Sequence, residues 1–362
     1  MTAIAFFVSP HGFGHAARAC AVISALVRRR PGLRFHVFTT VPKWFFSESL
    51  PGCFEYHPCV SDVGLIQISP IEENVEATVE ALDHAPWRDP DTVTRLARRL
   101  VDLGCNLVIA DISPLGLRLA RRVGLPSVLV ENFTWDWIYT EIEAPAGLRR
   151  HGDELAADFA AADLRIQTRP VCEPVSHAVP VATVAREPRF PPHEVRRRLG
   201  VPADAAMVLA SMGGVPWAYG PLDRLTKSGG PWVVVPGGAD LEQRRGRLVL
   251  LPFHSAHYHP DLVHAADVVV GKLGYSTVAE TCQAGAALAY VERPRFPESP
   301  ILAKYVDRHL TSRAIALGDF ENGAWMPVVC ELLTESRMPP RADDGANEAA
   351  AVILQRFPEV FG

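Results

Sequence analysis

The chain has 362 residues, of which 48% are hydrophobic and 21% are charged. That length suits two domains of roughly 150–200 residues each, and the composition excludes the disordered and fibrous classes of protein. The net charge of −5 disfavours nucleic-acid binding through bulk positive charge. No apolar run reaches the ~18 residues that a membrane span requires.

The seven cysteines are scattered, and no two of them form a C-x-x-C pair. This pattern predicts reduced, mostly buried thiols and a cytoplasmic location. Residues 1–9 lack the basic region and the small-residue cleavage site of a signal peptide, so we interpret them as a first strand. We expect no membrane span and no nucleic-acid partner.

Short apolar runs alternate with helical patterns along the first half of the chain. The predicted strands there are 3–8, 35–39, 107–110 and 127–130, and the predicted helices are 16–29, 92–103 and 115–123. Strands that are apolar throughout and separated by helices indicate a parallel sheet covered on both faces.

Residues 170–192 contain six prolines and little helical periodicity, so they are predicted to be a linker. The pattern then restarts, with strands at 207–211, 232–235, 248–251, 268–270 and 287–291, and helices at 275–284, 300–309 and 347–357. The fold class is therefore α/β, with two Rossmann-like doubly wound domains, 1–169 and 193–346, facing across a cleft. The final segment, 347–362, is expected to pack back on the first domain.

One glycine-containing segment follows an apolar strand of the second half and enters a helix. Gly271 and Gly274 let the backbone approach a ligand closely, and the free amides of a helix N-terminus favour a phosphate group. Ser276 and Thr277 add hydroxyl donors, and Glu280 is placed to accept hydrogen bonds from ribose hydroxyls. The alternative is a plain strand–helix turn, with Ser276 as N-cap and Glu280 on the surface.

A second turn, with Gly213 and Gly214, follows the first strand of the same half, so both turns are expected to hold one diphosphate. We assign Lys272, Phe253 and Glu298 to this donor site as well. Phe253 opens a histidine-rich stretch that suits a nucleotide-base pocket or a plain loop; its H-x-x-H-x-H spacing also fits a metal site, without preset geometry. The turns match neither the P-loop nor the G-x-G-x-x-G pattern, which disfavours an ATPase or a dinucleotide-dependent enzyme.

Two histidines, His11 and His15, flank a glycine turn at the end of the first strand. A histidine there can take a proton from a hydroxyl or a water near neutral pH. Asp111 ends another predicted strand and is placed to orient the His15 imidazole as the carboxylate of a dyad. We assign His15 and Asp111 to catalysis, and His11 and Gly14 to acceptor binding. The alternatives are a backbone hydrogen bond for His15 and a helix cap for Asp111.

Asn132, Trp135 and Asp136 belong to an aromatic cluster just after a strand. Aromatic faces beside amide and carboxylate groups suit a sugar or another polyol, so we assign these residues to acceptor binding. An aromatic helix packed against its domain fits the pattern equally well. The literal D-x-D at 89–91 precedes a predicted helix, and we interpret it as a helix cap rather than a metal motif.

Taken together, these segments resemble the GT-B glycosyltransferases, in the branch that contains the glycosyltransferase-like N-terminal region of plant L-arabinokinase. The stretches that carry the resemblance follow one another along nearly the whole chain: residues 11–17, 132–139, 271–280, 296–302 and 350–355. The phosphate loop of the arabinokinase kinase module does not occur in this sequence, so the resemblance does not imply sugar kinase activity.

More distant resemblances concern single residues. The segment ending at Glu280 is similar to the donor loop of the lipid-II-forming N-acetylglucosaminyltransferase, which implies a ribose contact for Glu280. The glycine turn before His15 resembles the start of the UDP-sugar hydrolase of pseudaminic acid synthesis, which implies that His15 is the base. Plant-type glucosyltransferases have a histidine–aspartate dyad, and strand-end position alone suggests Asp111 as its carboxylate here.

The residues and the resemblance together predict a hexosyl- or pentosyltransferase that moves a sugar from a nucleotide-diphosphate sugar to an acceptor hydroxyl. We expect inversion, no metal and no cofactor. The expected partners are a nucleotide sugar and a small-molecule or glycan acceptor, with the base, the sugar and the oligomeric state left open. One alternative is a nucleotide-sugar hydrolase in which His15 activates water, and another is a non-catalytic nucleotide-sugar-binding module.

Overall fold

The computed structural model describes residues 2–50, 52–143, 146–214 and 230–362. The elements of the first half are β1 (Ala3–Val8), α1 (Phe13–Arg29), β2 (Arg34–Thr39), α2 (Lys43–Ser49), β3 (Phe54–Pro58), β4 (Ile66–Ser69), β5 (Glu72–Asn74), α3 (Val75–Asp83), a 3-10 turn (Pro86–Arg88), α4 (Pro90–Asp102), β6 (Cys105–Asp111), α5 (Pro114–Val123), β7 (Ser127–Glu131), α6 (Trp135–Glu141), α7 (Ala146–Ala160), β8 (Leu164–Thr168) and β9 (Val179–Val181). Seven of these strands form one parallel sheet in the order β3-β2-β1-β6-β7-β8-β9, and β4 and β5 form an antiparallel hairpin.

The second half repeats this plan. Its elements are α8 (Pro192–Leu199), β10 (Met207–Ser211), β11 (Trp232–Pro236), β12 (Gln243–Arg245), β13 (Leu248–Leu251), α9 (His259–Ala265), β14 (Val268–Lys272), α10 (Tyr275–Ala284), β15 (Ala287–Val291), α11 (Ser299–His309), β16 (Ser312–Ala314), α12 (Leu317–Glu321) and α13 (Met326–Thr334). The strand order of the second sheet is β12-β13-β11-β10-β14-β15-β16, and within this sheet, as far as the structure describes it, only the β12–β13 pair is antiparallel. We call the two sheets with their helices the first lobe and the second lobe.

The strand β1 explains why a continuous apolar run becomes a central strand. Ile4, Phe6 and Val8 enter a core shared with α1, whereas Ala5 and Phe7 enter a second core on the opposite face of the sheet. Successive side chains point to opposite faces, so both faces require apolar residues when helices cover both. This is the predicted parallel sheet with two covered faces.

The chain ends in α14 (Gly345–Arg356) and α15 (Pro358–Phe361), which return to the first lobe. Ala349, Ala350 and Ile353 share a core with Val22 of α1 and are fully buried. The last helices therefore close one face of the first sheet after the chain has completed the second.

The proline-rich segment between the sheets is more ordered than the predicted linker. Val179–Val181 forms β9 at the edge of the first sheet, paired with β8. Pro180 has no N–H to donate, and an edge strand tolerates that loss because one of its sides has no neighbour.

All seven cysteines lie in the described ranges and are free thiols, and Cys20, Cys105 and Cys282 are buried. None of the helices in the described ranges combines the length and the apolar character that crossing a membrane requires.

Candidate active site

A histidine–aspartate pair stands at the carboxyl end of the first sheet. The loop after β1 leads into α1, so His15 lies in the first turn of that helix, and Asp111 is the last residue of the neighbouring strand β6. The Nδ1 atom of His15 lies 2.8 Å from Asp111 Oδ1, and Asp111 is fully buried. The structure thus brings together the two residues that were assigned to a dyad from strand-end position.

Arg18, one turn after His15, holds the same carboxylate. Its Nε donates to Asp111 Oδ2 at 2.7 Å, and its Nη2 donates to Oδ1 at 2.8 Å. Burial alone would raise the pKa of Asp111, but the Arg18 guanidinium outweighs burial and lowers that pKa below its ordinary value. Because a carboxylate only accepts hydrogen bonds, Nδ1 of His15 carries the donated proton and Nε2 is the basic nitrogen. Sequence analysis missed Arg18, although its i, i+3 spacing from His15 was visible.

Hydrogen bonds connect this pair to the second lobe across the cleft. Arg18 Nη1 donates to Asn132 Oδ1 at 2.6 Å, and Asn132 Nδ2 donates to Glu298 Oε1 at 2.6 Å. Burial raises the pKa of Glu298. Asn132 and Glu298, assigned to the acceptor and the donor respectively, therefore contact each other, and a ligand that takes either side chain must replace that bond.

His11 lies among aromatic rings beside the pair. Its ring stacks on Phe296 with centroids 6.0 Å apart and meets Trp135 edge-on at 5.0 Å. Burial lowers the pKa of His11 well below its ordinary value, so the ring is neutral near physiological pH. Its Nε2 atom is buried without a hydrogen-bond partner among the described residues. A ligand hydroxyl entering here would find a polar atom that is ready to bond.

Trp135 and Asp136 line neither of the two cavities that lie between the lobes. Trp135 is fully buried, its Nε1 donates to Asp62 Oδ2 at 3.0 Å, and its ring stacks on Tyr139. The packing alternative therefore describes Trp135 better than acceptor contact does, because the start of α6 turns the ring into the core behind His11. Asp136 is half-buried in the same helical turn.

The turn after β10 approaches α1 closely. Gly213 has a φ of +74°, a left-handed conformation that favours glycine. A Cβ atom on Gly214 would lie 2.6 Å from the ring of Phe13, so any side chain there would collide with the first lobe. The backbone of this turn therefore reaches the cleft at a distance that only glycine permits.

The helix α10 presents its N-terminus to the same space. Gly274 is its N-cap and makes no side-chain capping bond, so the first amides of the helix are free of a side-chain cap. Ser276 is the second residue of the helix, and the alternative that made it the N-cap is wrong. A Cβ atom added to Gly14 would lie 3.5 Å from Ser276 Oγ, so the start of α10 lies against the glycine turn of the first lobe. Ser276 and Thr277 line both cavities between the lobes.

Two cationic side chains lie between the glycine turns and His11. Burial, with a contribution from Arg293, lowers the pKa of Lys272 to about 7. Lys272 Nζ donates a long hydrogen bond of 3.5 Å to the carbonyl oxygen of Pro70. Arg293 Nη2 donates to Glu73 Oε1 at 2.6 Å, while its Nε is buried without a partner among the described residues. The cleft thus carries positive charge that the protein neutralises only in part, as a diphosphate site requires.

Glu280 is buried in the second turn of α10, so the alternative that placed it on the surface is wrong. Its Oε1 accepts a hydrogen bond from Arg186 Nε at 2.9 Å, and its Oε2 lies 3.0 Å from His259 Nδ1. Burial would raise the pKa of Glu280, but Arg186 and His259 outweigh it and lower that pKa. Arg186, which sequence analysis did not assign, lies over the rings of Phe45 and Tyr258 at 4.7 and 5.2 Å.

Two cavities of about 80 Å³ each occupy the cleft between the lobes. The aromatic cavity is lined by Phe13, Trp44, Phe45, Phe253, Arg186 and Glu280, among others. The histidine cavity is lined by His11, His15, Arg18, Asn132, Lys272 and Arg293, among others. The two share Phe13, Gly213, Ser276 and Thr277 as a common wall. Sites for drug-sized ligands measure about 300–1,000 Å³, so the cleft must widen to admit a nucleotide sugar.

The remaining candidate motifs have structural explanations. Asp89 caps α4, accepting hydrogen bonds from the backbone of Asp91 at 3.2 Å and Thr92 at 3.0 Å, which confirms the cap interpretation of the D-x-D motif. The histidine-rich stretch does not converge on one point, because its members pair with three different carboxylates: His254 with Glu48, His257 with Glu242 and His259 with Glu280.

Two curated proteins are similar in sequence. L-arabinokinase of Arabidopsis thaliana is 26% identical over 360 residues, which cover 97% of this chain and 34% of the arabinokinase. An uncharacterized glycosyltransferase of Methanopyrus kandleri is 26% identical over 222 residues, which cover 56% of this chain and 61% of that protein. The chain therefore spans less than two thirds of either relative's length. No family model matches the chain.

Solved structures show the same architecture. UGT89C1 of Arabidopsis thaliana, complexed with UDP-L-rhamnose, aligns with a TM-score of 0.63 and 13% identity over 99% of each chain. The calicheamicin glycosyltransferase CalG4 aligns with a TM-score of 0.60 and 18% identity, covering 100% of this chain and 95% of that one. The chain has the GT-B fold. The predicted fold class and the resemblance to arabinokinase are confirmed, and the GT-B fold and the relatives support a glycosyltransferase.

Proposed function

We propose that this GT-B chain transfers a hexosyl or pentosyl group from a nucleotide-diphosphate sugar to an acceptor hydroxyl, with inversion and without a metal ion. One observation carries the proposal: His15, bound to Asp111 at 2.8 Å, lines the same cavity as Gly213, Lys272 and Ser276. A base and a diphosphate cradle that face one space can act on the two sides of one anomeric carbon. The nucleotide base and ribose would occupy the aromatic cavity, and the sugar and acceptor the histidine cavity.

In the proposed reaction, Nε2 of His15 removes the proton from the acceptor hydroxyl. The acceptor oxygen forms the new bond to the anomeric carbon while the bond from that carbon to the diphosphate oxygen breaks, and its electron pair leaves with the nucleoside diphosphate. A single displacement of this kind inverts the anomeric centre. Asp111 stabilises the imidazolium that forms, and His15 later returns its proton to solvent.

The charge that grows on the leaving diphosphate has several partners in the second lobe. Gly213, Lys272, Gly274, Ser276 and Thr277 line the histidine cavity, and we assign the helix N-terminus, the two hydroxyls and the ammonium to the leaving diphosphate. Preorganised donors of this type stabilise developing negative charge. They supply positive potential of the kind that a metal supplies in other transferases, which supports a metal-independent reaction without a resident cofactor. The free cysteines favour a cytoplasmic location.

The test measures nucleoside diphosphate release and glycoside formation by the purified chain, with a panel of nucleotide-diphosphate sugars and acceptor alcohols. His15→Ala should lower turnover by about 10²–10⁴-fold and leave the donor-induced thermal shift in place. His84→Ala, at an exposed histidine, is the matched control and should behave as the parent chain.

Three other outcomes would contradict the proposal. Unchanged turnover in His15→Ala would remove the base. Release of free sugar at a rate independent of every acceptor would identify a hydrolase with the same cleft. Donor binding without turnover under any acceptor would identify a binding module.

A further inference from the structure

Three side chains of metal-ligand type meet at the edge of the first sheet. His36 lies on β2, and Glu55 and His57 lie on the edge strand β3. The parallel register pairs His36 with Glu55 and Phe38 with His57. Because residues paired in this way and residues two apart share a face, all four side chains project to one side of the sheet. The helix α4, which carries Arg99, packs on that side.

The separations between the three ligating groups are those of a tetrahedral ion. His36 Nδ1 lies 3.1 Å from His57 Nε2. Glu55 Oε2 lies 3.6 Å from His36 Nδ1, and Glu55 Oε1 lies 3.6 Å from His57 Nε2. Zinc binds imidazole nitrogen at about 2.0–2.1 Å and carboxylate oxygen at about 2.0–2.2 Å, so adjacent tetrahedral ligands lie about 3.3–3.5 Å apart. Each observed separation differs from that value by a few tenths of an ångström.

The surroundings hold the two imidazoles ready to bind. The His57 ring stacks on Phe38 with centroids 4.5 Å apart, which fixes its orientation. A single N–H···N bond would satisfy two nitrogens at this distance, but it would not by itself place one oxygen of the same carboxylate 3.6 Å from each nitrogen.

A path from solvent reaches the cluster. A groove of about 510 Å³, lined by His57, Arg95, Arg99 and others, lies beside it. Arg99 Nη2 lies 3.6 Å from Glu55 Oε1, and the Arg99 and Glu55 side chains are both about half exposed. An arriving cation therefore meets the guanidinium groups of Arg95, Arg98 and Arg99 in this groove, of which Arg99, about half exposed, contacts the Glu55 carboxylate. None of the three ligands lines either cavity of the cleft.

We propose that His36, Glu55 and His57 form a zinc site, with the fourth position open to water. The ion cross-links β2 to the edge strand β3 and thereby holds the margin of the first sheet. A two-histidine, one-carboxylate set is a recognised donor set for zinc. The site is separate from the proposed transfer reaction and stands or falls independently of it.

The first experiment measures zinc bound by the full chain, prepared without a histidine tag, stripped with chelator and dialysed against zinc chloride. We expect about one zinc per chain and a zinc-dependent rise in Tm. His36→Ala and His57→Ala should each weaken binding by more than the about 10–100-fold seen for outer ligand-supporting residues. Cobalt(II) should give the intense visible bands of a four-coordinate ion in the parent chain and lose them in both variants.

Two further variants protect this test against failure to fold. Glu55 is exposed, so Glu55→Gln should fold normally and still lose affinity. Arg99→Ala removes the arginine that contacts the Glu55 carboxylate and should tighten zinc binding, a change in the opposite direction. The exposed His84→Ala is the background control. The proposal is overturned if the parent chain retains no zinc, or if stoichiometry and cobalt spectrum survive Glu55→Gln and both histidine substitutions, which would mean adventitious binding elsewhere.

Discussion

Asp111 pairs with Arg18 and also orients His15. Removing one or both charges of the Asp111–Arg18 pair separates the contribution of Asp111 to stability from its contribution to turnover. Asp111 accepts hydrogen bonds from His15 and twice from Arg18, and Asp111 and Arg18 are 0% and 2% exposed. Asp111→Asn preserves the shape of the side chain but leaves the Arg18 guanidinium buried without its counter-ion. Arg18→Met leaves the Asp111 carboxylate buried without the Arg18 guanidinium as its counter-ion. The double variant removes both charges and leaves neither uncompensated.

The magnitudes follow from the burial of both partners. Breaking a buried ion pair by removing one partner costs about 3–5 kcal/mol, so each single variant should lose about that much stability. Replacing both partners by neutral groups is often nearly neutral, so the double variant should recover most of the loss. Turnover should not recover, because no carboxylate remains to stabilise the imidazolium of His15. We expect it to stay about 10²–10⁴-fold below the parent chain in both Asp111→Asn and the double variant.

Urea unfolding followed by tryptophan fluorescence gives the stabilities, and steady-state kinetics on the same preparations gives turnover. The reasoning fails if the double variant regains turnover together with stability, since Asp111 would then serve only as the partner of Arg18. It fails also if Asp111→Asn loses less than about 1 kcal/mol, because the pair would then be better solvated than its burial implies.

The pH dependence has a definite sign. Arg18 lowers the pKa of Asp111 in the folded state. A lowered carboxyl pKa stabilises the fold at every pH above the unfolded value of about 3.9 and loses that contribution as the pH falls through the lower folded value. The parent chain should therefore lose this stabilisation only in acid below about pH 4, and the double variant should lack that part of its acid transition.

Three further predictions concern the second lobe and the donor. Burial holds the pKa of Lys272 at about 7, and the negative charge of a bound diphosphate should raise it. Nucleotide-sugar affinity measured by calorimetry should therefore weaken, by at most about tenfold per pH unit, as the pH rises above 7, and Lys272→Met should remove that dependence. Phe253→Ala removes a ring from the aromatic cavity, and steady-state kinetics should show a donor KM about 2- to 12-fold higher with turnover little changed. A Cβ on Gly271 would lie 2.0 Å from the carbonyl oxygen of Ser211, so Gly271→Ala should lose more than about 3 kcal/mol in urea unfolding. The control Gly318→Ala, with nothing within 4 Å of its added Cβ, should stay close to the parent chain.

The central strands could be predicted from the sequence because burial on both faces requires an unbroken run of apolar residues. Residues 268–270 are valines that alternate between the two cores of the second lobe, so the run is apolar without a gap. Where such strands end, the chain must turn toward the cleft, so the sequence alone predicts that Asp111, Gly213 and the start of α10 lie near one another. The edge strand β9 has no such apolar run, since it has three residues and contains Pro180, so the sequence did not predict it.

The partners of the site residues were harder to predict because they depend on contacts between distant parts of the chain. Arg186 lies in a proline-rich segment with no periodicity, and only the folded chain brings it to Glu280, 94 residues later. The segment around Trp135 has the aromatic and polar residues that suit sugar binding. The ring is nevertheless buried, because of the direction in which α6 leaves β7. His36 and His57 lie in two different strands, and only the register of β2 against β3 brings their rings together.

The closed cleft adds an energetic condition on donor binding. The lobes meet through Asn132 and Glu298 at 2.6 Å, and through the rings of Phe13 and Phe253 at 5.5 Å. These same residues line the two cavities, so a nucleotide sugar must exchange contacts between the lobes for contacts with itself. Its observed affinity is then the intrinsic affinity reduced by the fraction of chains with an open cleft. Glu298→Gln keeps the shape of the side chain but weakens the bond that holds the lobes together. Donor association, measured by stopped-flow fluorescence, should accelerate in that variant, and an unchanged rate would show that this contact does not gate the cleft.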